Sequence, residues 1–103
     1  MEISTDRLNI IFGSKLSSLR RARGISQSEL GKKLDLSRTT IANLERGIQN
    51  VQLHQVFTLA QALDADPVTL IPTWSEVVPE GARPEILLNQ LRSQLANLSG
   101  EAR

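Results

Sequence analysis

The stretch QSELGKKLDLSRTTIANLER, Gln27 to Arg46, decides how the rest of this chain is read. Leu30 and Leu34 stand one helical turn apart and share a face, and Gly31 beside them leaves room for another helix to come close. Lys32 and Lys33 take the wet side. Ser37 then opens a second helix as a hydroxyl cap for free first-turn amides, and Ile41 and Leu44 fall three apart on its buried face. Arg38, Thr39, Thr40 and Asn43 are left facing outward. Only Asp35 and Leu36 lie between the two helices, too few for a loop, so the pair must cross steeply around a shared apolar contact.

Toward the N-terminus, Ser26 and Glu29 form an S-x-x-E capping box that fixes where the Gln27 helix starts. Before it the spacing predicts a helix capped by Asp6 and reaching about Arg23. Its apolar stripe is Leu8, Ile11 or Phe12, Lys15, Leu16 and Leu19, and Gly24 is its stop. Arg20, Arg21 and Arg23 crowd its last turn, where the helix dipole favours cations.

Toward the C-terminus, Gly47 ends the Ser37 helix and residues 48–52 form a loop. A fourth helix is predicted over 52–63, with Leu53, Val56, Phe57, Leu59, Ala60 and Leu63 as a broad apolar face. Asp66 as cap and Pro67 at the first helical position start a short fifth helix, in which Val68, Leu70 and Ile71 close the core. The globular unit is therefore placed at residues 6–71. Residues 72–84, PTWSEVVPEGARP, hold three of the four prolines and read as a linker arm. Over 85–99 helical periodicity returns: Leu88, Leu91, Leu95 and Leu98 have the 3-4-3 spacing of a heptad seam. So short a helix is not stable alone, so these leucines either fold back on their own domain or pair with a second subunit, which makes this a candidate dimerisation element.

Composition sets the limits. The 103 residues suit one domain, and with 40% hydrophobic residues but only 3% aromatic ones the core must be built from Leu, Ile, Val and Ala, an all-α mixture. There is no cysteine, which removes disulfides and thiolate chemistry and fits a reducing cytoplasm. No apolar run reaches the roughly 18 residues of a membrane span, and MEISTDRLNI lacks a signal pattern, so a soluble cytoplasmic chain with no membrane partner is expected. Catalysis is not expected either: His54 is the single histidine, and neither a glycine-rich phosphate loop nor clustered carboxylates accompany it. Without companion ligands His54 makes no metal site, and no cofactor is implied. Charge is uneven along the chain. Residues 1–50 carry nine Lys and Arg against five Asp and Glu, whereas residues 51–103 carry three against six. A basic half that coincides with the two-helix stretch suits a phosphate-binding face, because each Lys or Arg contact releases condensed counterions.

Gln27-Ser28-Glu29-Leu30-Gly31, Leu34, Ser37-Arg38, Ile41 and Leu44-Glu45-Arg46-Gly47 together resemble the lambda-repressor-like, Xre-type helix-turn-helix family, which includes Cro proteins and restriction-modification controllers. The resemblance runs over roughly residues 8–71. It departs from the family at Asp35, where the turn usually carries Gly. The resemblance implies a five-helix DNA-binding domain, followed here by the arm and the C-terminal helix. It further implies that Arg20 pairs with Glu45, tying the first helix to the end of the recognition helix, and that Gln27 and Ser28 meet a phosphate at the start of the second helix. Arg38, Thr39 and Asn43 become the base-reading side chains, with Thr40, Asn50 and Gln52 as phosphate contacts.

The expected function is that of a double-stranded DNA-binding transcriptional regulator. The favoured form is a homodimeric repressor on a palindromic operator, because a two-fold dimer sets two recognition helices about 34 Å apart, one turn of DNA. The alternative is an antitoxin that binds its own operator while its arm or C-terminal helix grips a toxin or other protein partner.

Overall fold

The computed structural model describes residues 3–78, 89 and 91–96, and among these every regular element is helical. The order is α1 (Thr5–Ala22), α2 (Gln27–Leu34), α3 (Arg38–Arg46), α4 (Leu53–Ala62), a 3-10 turn (Pro67–Leu70) and α5 (Trp74–Val77). The fold class is thus the all-α one expected.

Helix α1 starts earlier than the Asp6 cap implied. Ser4 is the cap, its Oγ accepting the Arg7 N–H at 3.2 Å. Asp6 lies inside the first turn, where a carboxylate faces the positive end of the dipole. The capping box of α2 is complete: the Glu29 N–H donates to Ser26 Oγ at 3.0 Å and the Ser26 N–H to Glu29 Oε1 at 2.7 Å. Asp35 ends α2 in the left-handed conformation (φ 57°, ψ 41°), so the turn that usually carries Gly is made here by Asp. The turn then folds back hard on α2, the Leu36 N–H donating to the Gly31 carbonyl at 2.8 Å. A side chain at Gly31 would put its Cβ 2.5 Å from the Leu36 oxygen. Ser37 Oγ accepts the Thr40 N–H at 3.0 Å and starts α3.

One core holds the elements together: Phe12, Leu16, Leu30, Ile41, Leu44, Val56, Leu59, Ala60, Leu63 and Leu70 are buried in a single cluster. Four side chains assigned to it by periodicity lie outside. Leu53 is 75% exposed, Phe57 54%, and Val68 and Ile71 are also exposed. Helix α4 turns Val56, Leu59, Ala60 and Leu63 inward, and Leu53 and Phe57, one turn apart, share the neighbouring face. Residues 67–70 wind as a 3-10 turn rather than an α-helix, and with three residues per turn only Leu70 points inward.

The packed unit also runs beyond Ile71. Residues 74–77, read as linker, form the helical turn α5, whose start is fixed by the Thr73 N–H donating to Glu76 Oε1 at 2.7 Å. Glu76 Oε2 meets Lys15 Nζ at 3.2 Å, so Lys15 leaves the apolar stripe for an ion pair. Arg7 Nε donates to the Glu76 carbonyl at 2.8 Å, and Val77 and Val78 are buried. Residues 91–96 are helical, with Leu91 half-buried and Leu95 exposed; Leu88 and Leu98 lie outside the described residues.

Candidate nucleic-acid interface

Helix α3 is held from behind by α1. Gly13 lies so close to the end of α3 that a Cβ there would sit 2.4 Å from both the Leu44 and Glu45 carbonyl oxygens. Gly47, in the left-handed conformation at φ 76°, is pressed against Ile10. Arg20 and Glu45 close the same corner with a bidentate ion pair: Arg20 Nε donates to Glu45 Oε2 at 2.6 Å and its Nη2 to Oε1 at 3.1 Å. Their side chains are only 11% and 5% exposed, and Arg20 Nη1 also donates to the Ile25 carbonyl at 2.8 Å. Three charge-assisted bonds leave neither buried charge unpaired, the condition under which a buried pair is tolerated.

On the opposite side of α3, Arg38 and Thr39 are exposed at its N-terminal end, Asn43 is half-exposed one turn on, and Arg46 is exposed beyond it. Among the described residues none of the side chains of Arg38, Thr39 or Asn43 hydrogen-bonds within the chain. Lys32 and Lys33 add exposed positive charge on α2. Nothing acidic among the described residues projects from the exposed face of α3. Glu29 lies in the first turn of α2, where the Ser26 N–H, then the Ser26 hydroxyl, hold its carboxyl below the usual glutamate range.

The candidate phosphate residues are more engaged than their sequence suggests. Gln27, half-buried, donates from Nε2 to Glu45 Oε1 at 3.0 Å, so its side chain joins the ion pair rather than standing free. Ser28 is exposed beside it. Thr40 Oγ1 shares a hydrogen bond with Ser37 Oγ at 2.9 Å. Asn50 is exposed, and its Oδ1 accepts from Asn9 Nδ2 at 2.6 Å. Gln52 is exposed at the start of α4, its backbone N–H donating to Gln55 Oε1 at 2.9 Å.

Two contributors escaped the sequence reading. Arg23, read as a cap of its own helix, reaches across to the end of α4, where its Nε donates to the Leu63 carbonyl at 2.7 Å and its NH2 to that of Asp64 at 3.2 Å. Asn9 is a polar residue buried on the core side of α1. Its position in register with Phe12, Leu16 and Arg20 was the available signal, but the partner forty-one residues away was not.

Among the described residues no group of His, Asp and Glu could hold a metal ion, and no helix is long and apolar enough to cross a membrane. A helix-turn-helix family model, HTH_3, matches residues 16–70, from the middle of α1 to the end of the 3-10 turn. Control protein C.BamHI of Bacillus amyloliquefaciens is 34% identical over 68 residues, 65% of this chain and 84% of that protein. The restriction-modification controller protein C.AhdI of Aeromonas hydrophila superimposes with a TM-score of 0.58 at 40% identity, over 60% of this chain and 90% of that one. The clp gene regulator ClgR from C. glutamicum gives 0.60 at 27% identity, over 61% and 82%. The helix-turn-helix model match over residues 16–70, which takes in α2, the turn and α3 with its outward Arg38, together with these relatives, places the chain in the lambda-repressor-like HTH_3 family of helix-turn-helix DNA-binding transcriptional regulators.

Proposed function

We propose that this regulator reads a specific palindromic operator as a homodimer and represses by occupying it. The observation that carries the reading is the state of Arg38 and Thr39: both are exposed at the N-terminal end of a helix whose other side is locked into the fold. An arginine so placed can donate two hydrogen bonds to the O6 and N7 of a guanine, worth about 1–3 kcal/mol of discrimination against another base. The names of C.BamHI and C.AhdI as control and controller proteins support a regulatory role of the same kind. A second copy is supported by apolar surface left open in the single chain, at Leu53 and Phe57 on α4, at Val68 and Ile71, and at Leu95.

The test is selection from random duplexes at two salt concentrations, with Arg38→Ala in parallel and the mass of the free protein measured in solution. An inverted repeat with half-sites about 10 bp apart, affinity that falls steeply with salt, and preference relaxed at one position per half-site in the variant are expected. Weak binding without sequence preference would overturn the reading, and a monomer both free and on DNA would overturn the homodimer.

A further inference from the structure

Asn9 is buried, 8% exposed, on the face of α1 that also carries Phe12, Leu16 and Arg20 into the interior. An amide there loses its water, and burial without a partner is unfavourable. Among the described residues its side chain makes one hydrogen bond, with Asn50, and it is short: Asn9 Nδ2 donates to Asn50 Oδ1 at 2.6 Å. Asn50 belongs to the loop that leaves the recognition helix, between Gly47 and α4, and is itself exposed. The two amides line a cavity of about 380 Å³ whose other walls are apolar except for Thr5, among them Leu8, Phe12, Val51 and Val56. A leucine at position 9 would extend that wall, so the amide is not there for the core.

The bond does something specific to Asn50. A side-chain amide has an acceptor end and a donor end, and on an exposed loop both orientations are open to it. With Oδ1 taken up by Asn9, the carbonyl is turned toward the protein and the NH2 group away from it. Accepting a hydrogen bond at the oxygen also polarises the amide and strengthens its N–H donors. At this side chain the loop therefore presents the N–H donors of the amide, and not its carbonyl, toward whatever lies outside. A DNA phosphate offers only acceptors, so this is the orientation that binds it and the flipped one repels it.

We infer that Asn9 is a positioning residue for the DNA contact: it touches no nucleic acid, but it holds the Asn50 amide with its donors outward for a backbone phosphate. The inference rests on the proposed reading of Asn50 as a phosphate contact.

The experiment measures affinity for the selected operator with wild type, Asn9→Ala, Asn50→Ala and the double variant, and repeats each on operators carrying one neutral methylphosphonate at a time. Loss of one neutral-donor contact corresponds to a fall of roughly threefold to tenfold. Positioning predicts that Asn9→Ala and Asn50→Ala each show about that fall and that the double variant loses no more than either alone. It also predicts that both single variants become insensitive to the same methylphosphonate, to which wild type responds. Asn9→Leu fills the space left by the amide, keeps α1 packed should alanine loosen it, and must show the same pattern. If Asn50→Ala responds in this way and neither Asn9 variant does, the positioning role is overturned while the operator reading stands. If Asn50→Ala binds as wild type, the inference falls with its phosphate contact, again without touching the base-reading role of Arg38. A fall in melting temperature of Asn9→Ala with unchanged affinity would also overturn it, since that is what a purely structural amide would give.

Discussion

Gly13→Ala sets two effects of known size against each other. In a helix interior alanine is favoured over glycine by about 1 kcal/mol, so on propensity alone the substitution in the middle of α1 should stabilise. The surroundings say otherwise. The new methyl carbon would lie 2.4 Å from two carbonyl oxygens, those of Leu44 and Glu45, and 2.8 Å from the Glu45 carbonyl carbon. All three are backbone atoms at the end of α3, so no rotamer change can clear them. Carbon and oxygen are comfortable at roughly 3.4 Å or more, so α1 must retreat by about 1 Å. That retreat opens the packing of Phe12 and Leu16 in the shared core, and a gap of that size forfeits a quarter to a half of each contact's attraction. Overpacking of a tight core costs typically 1–3 kcal/mol, and here it comes with loss on the flanking contacts, so the net is a destabilisation of about 1–3 kcal/mol. For a domain of this size that is a fall in melting temperature of roughly 5–20 °C. Thermal and urea unfolding followed by far-ultraviolet circular dichroism measures it, with exposed Ser14→Ala in the same helix as the control for propensity. A Gly13→Ala protein that melts at or above wild type would refute the close contact between α1 and α3.

Two further outcomes follow from ion pairs. Glu45→Ala leaves Arg20 buried without its carboxylate and should cost about 3–5 kcal/mol in urea unfolding, whereas Arg20→Met with Glu45→Leu should cost far less, because the double variant strands no charge. The Glu76 carboxyl is held below the usual glutamate range by the Thr73 N–H first, then by the Thr73 hydroxyl and Lys15. A carboxyl depressed in the folded state lends stability above its unfolded pKa and loses it as the pH falls through the folded one. The gap between wild type and Glu76→Gln should therefore be open near pH 6 and shrink as the pH falls below the usual glutamate range, and a gap that is constant with pH would count against the contact.

Local rules carried the fold because most of its stops and starts are local. The Ser26–Glu29 box and the Ser37 cap each lie within one helical turn, and a turn of three residues, Asp35, Leu36 and Ser37, between α2 and α3 leaves little choice of geometry. Periodicity misled where a helix has apolar residues on two adjacent faces. In α4 Leu53 and Phe57 are as hydrophobic as Val56 and Leu59, and only the position of α2 and the 3-10 turn decides which stripe is inside. Prolines at 72 and 79 disguised α5, although Thr73 and Glu76 already have the capping-box spacing that marks a helix start. Asn9 and Arg23 were beyond reach for another reason. Each acts on residues about forty positions away, Asn50 for the first, Leu63 and Asp64 for the second, and pattern within a window carries no trace of them.

Six of the eight candidate contacts divide into two kinds, with Ser28 and Gln52 exposed outside them, and the division has a physical sense. Arg38, Thr39 and Asn43 are uncommitted within the described residues, so their donors and acceptors are free to follow the pattern of base edges that a particular operator presents. Gln27, Thr40 and Asn50 are already bonded, to Glu45, Ser37 and Asn9. A phosphate has the same chemistry at every step of the duplex, so a side chain meant for it gains from being fixed before binding: less rotamer freedom is lost on contact, at about 0.5–1.5 kcal/mol for each immobilised side chain. A base-reading side chain fixed in the same way would be tied to one geometry and would lose the small adjustments by which a docked helix matches a deformable groove. On the proposed reading, the bonds behind α1 and α3 set the register of the protein on the backbone, and the free end of α3 is left to do the discriminating. The same division suits the place of the buried ion pair at the far end of α3 from Arg38: orientation is fixed at Glu45, two turns from that arginine.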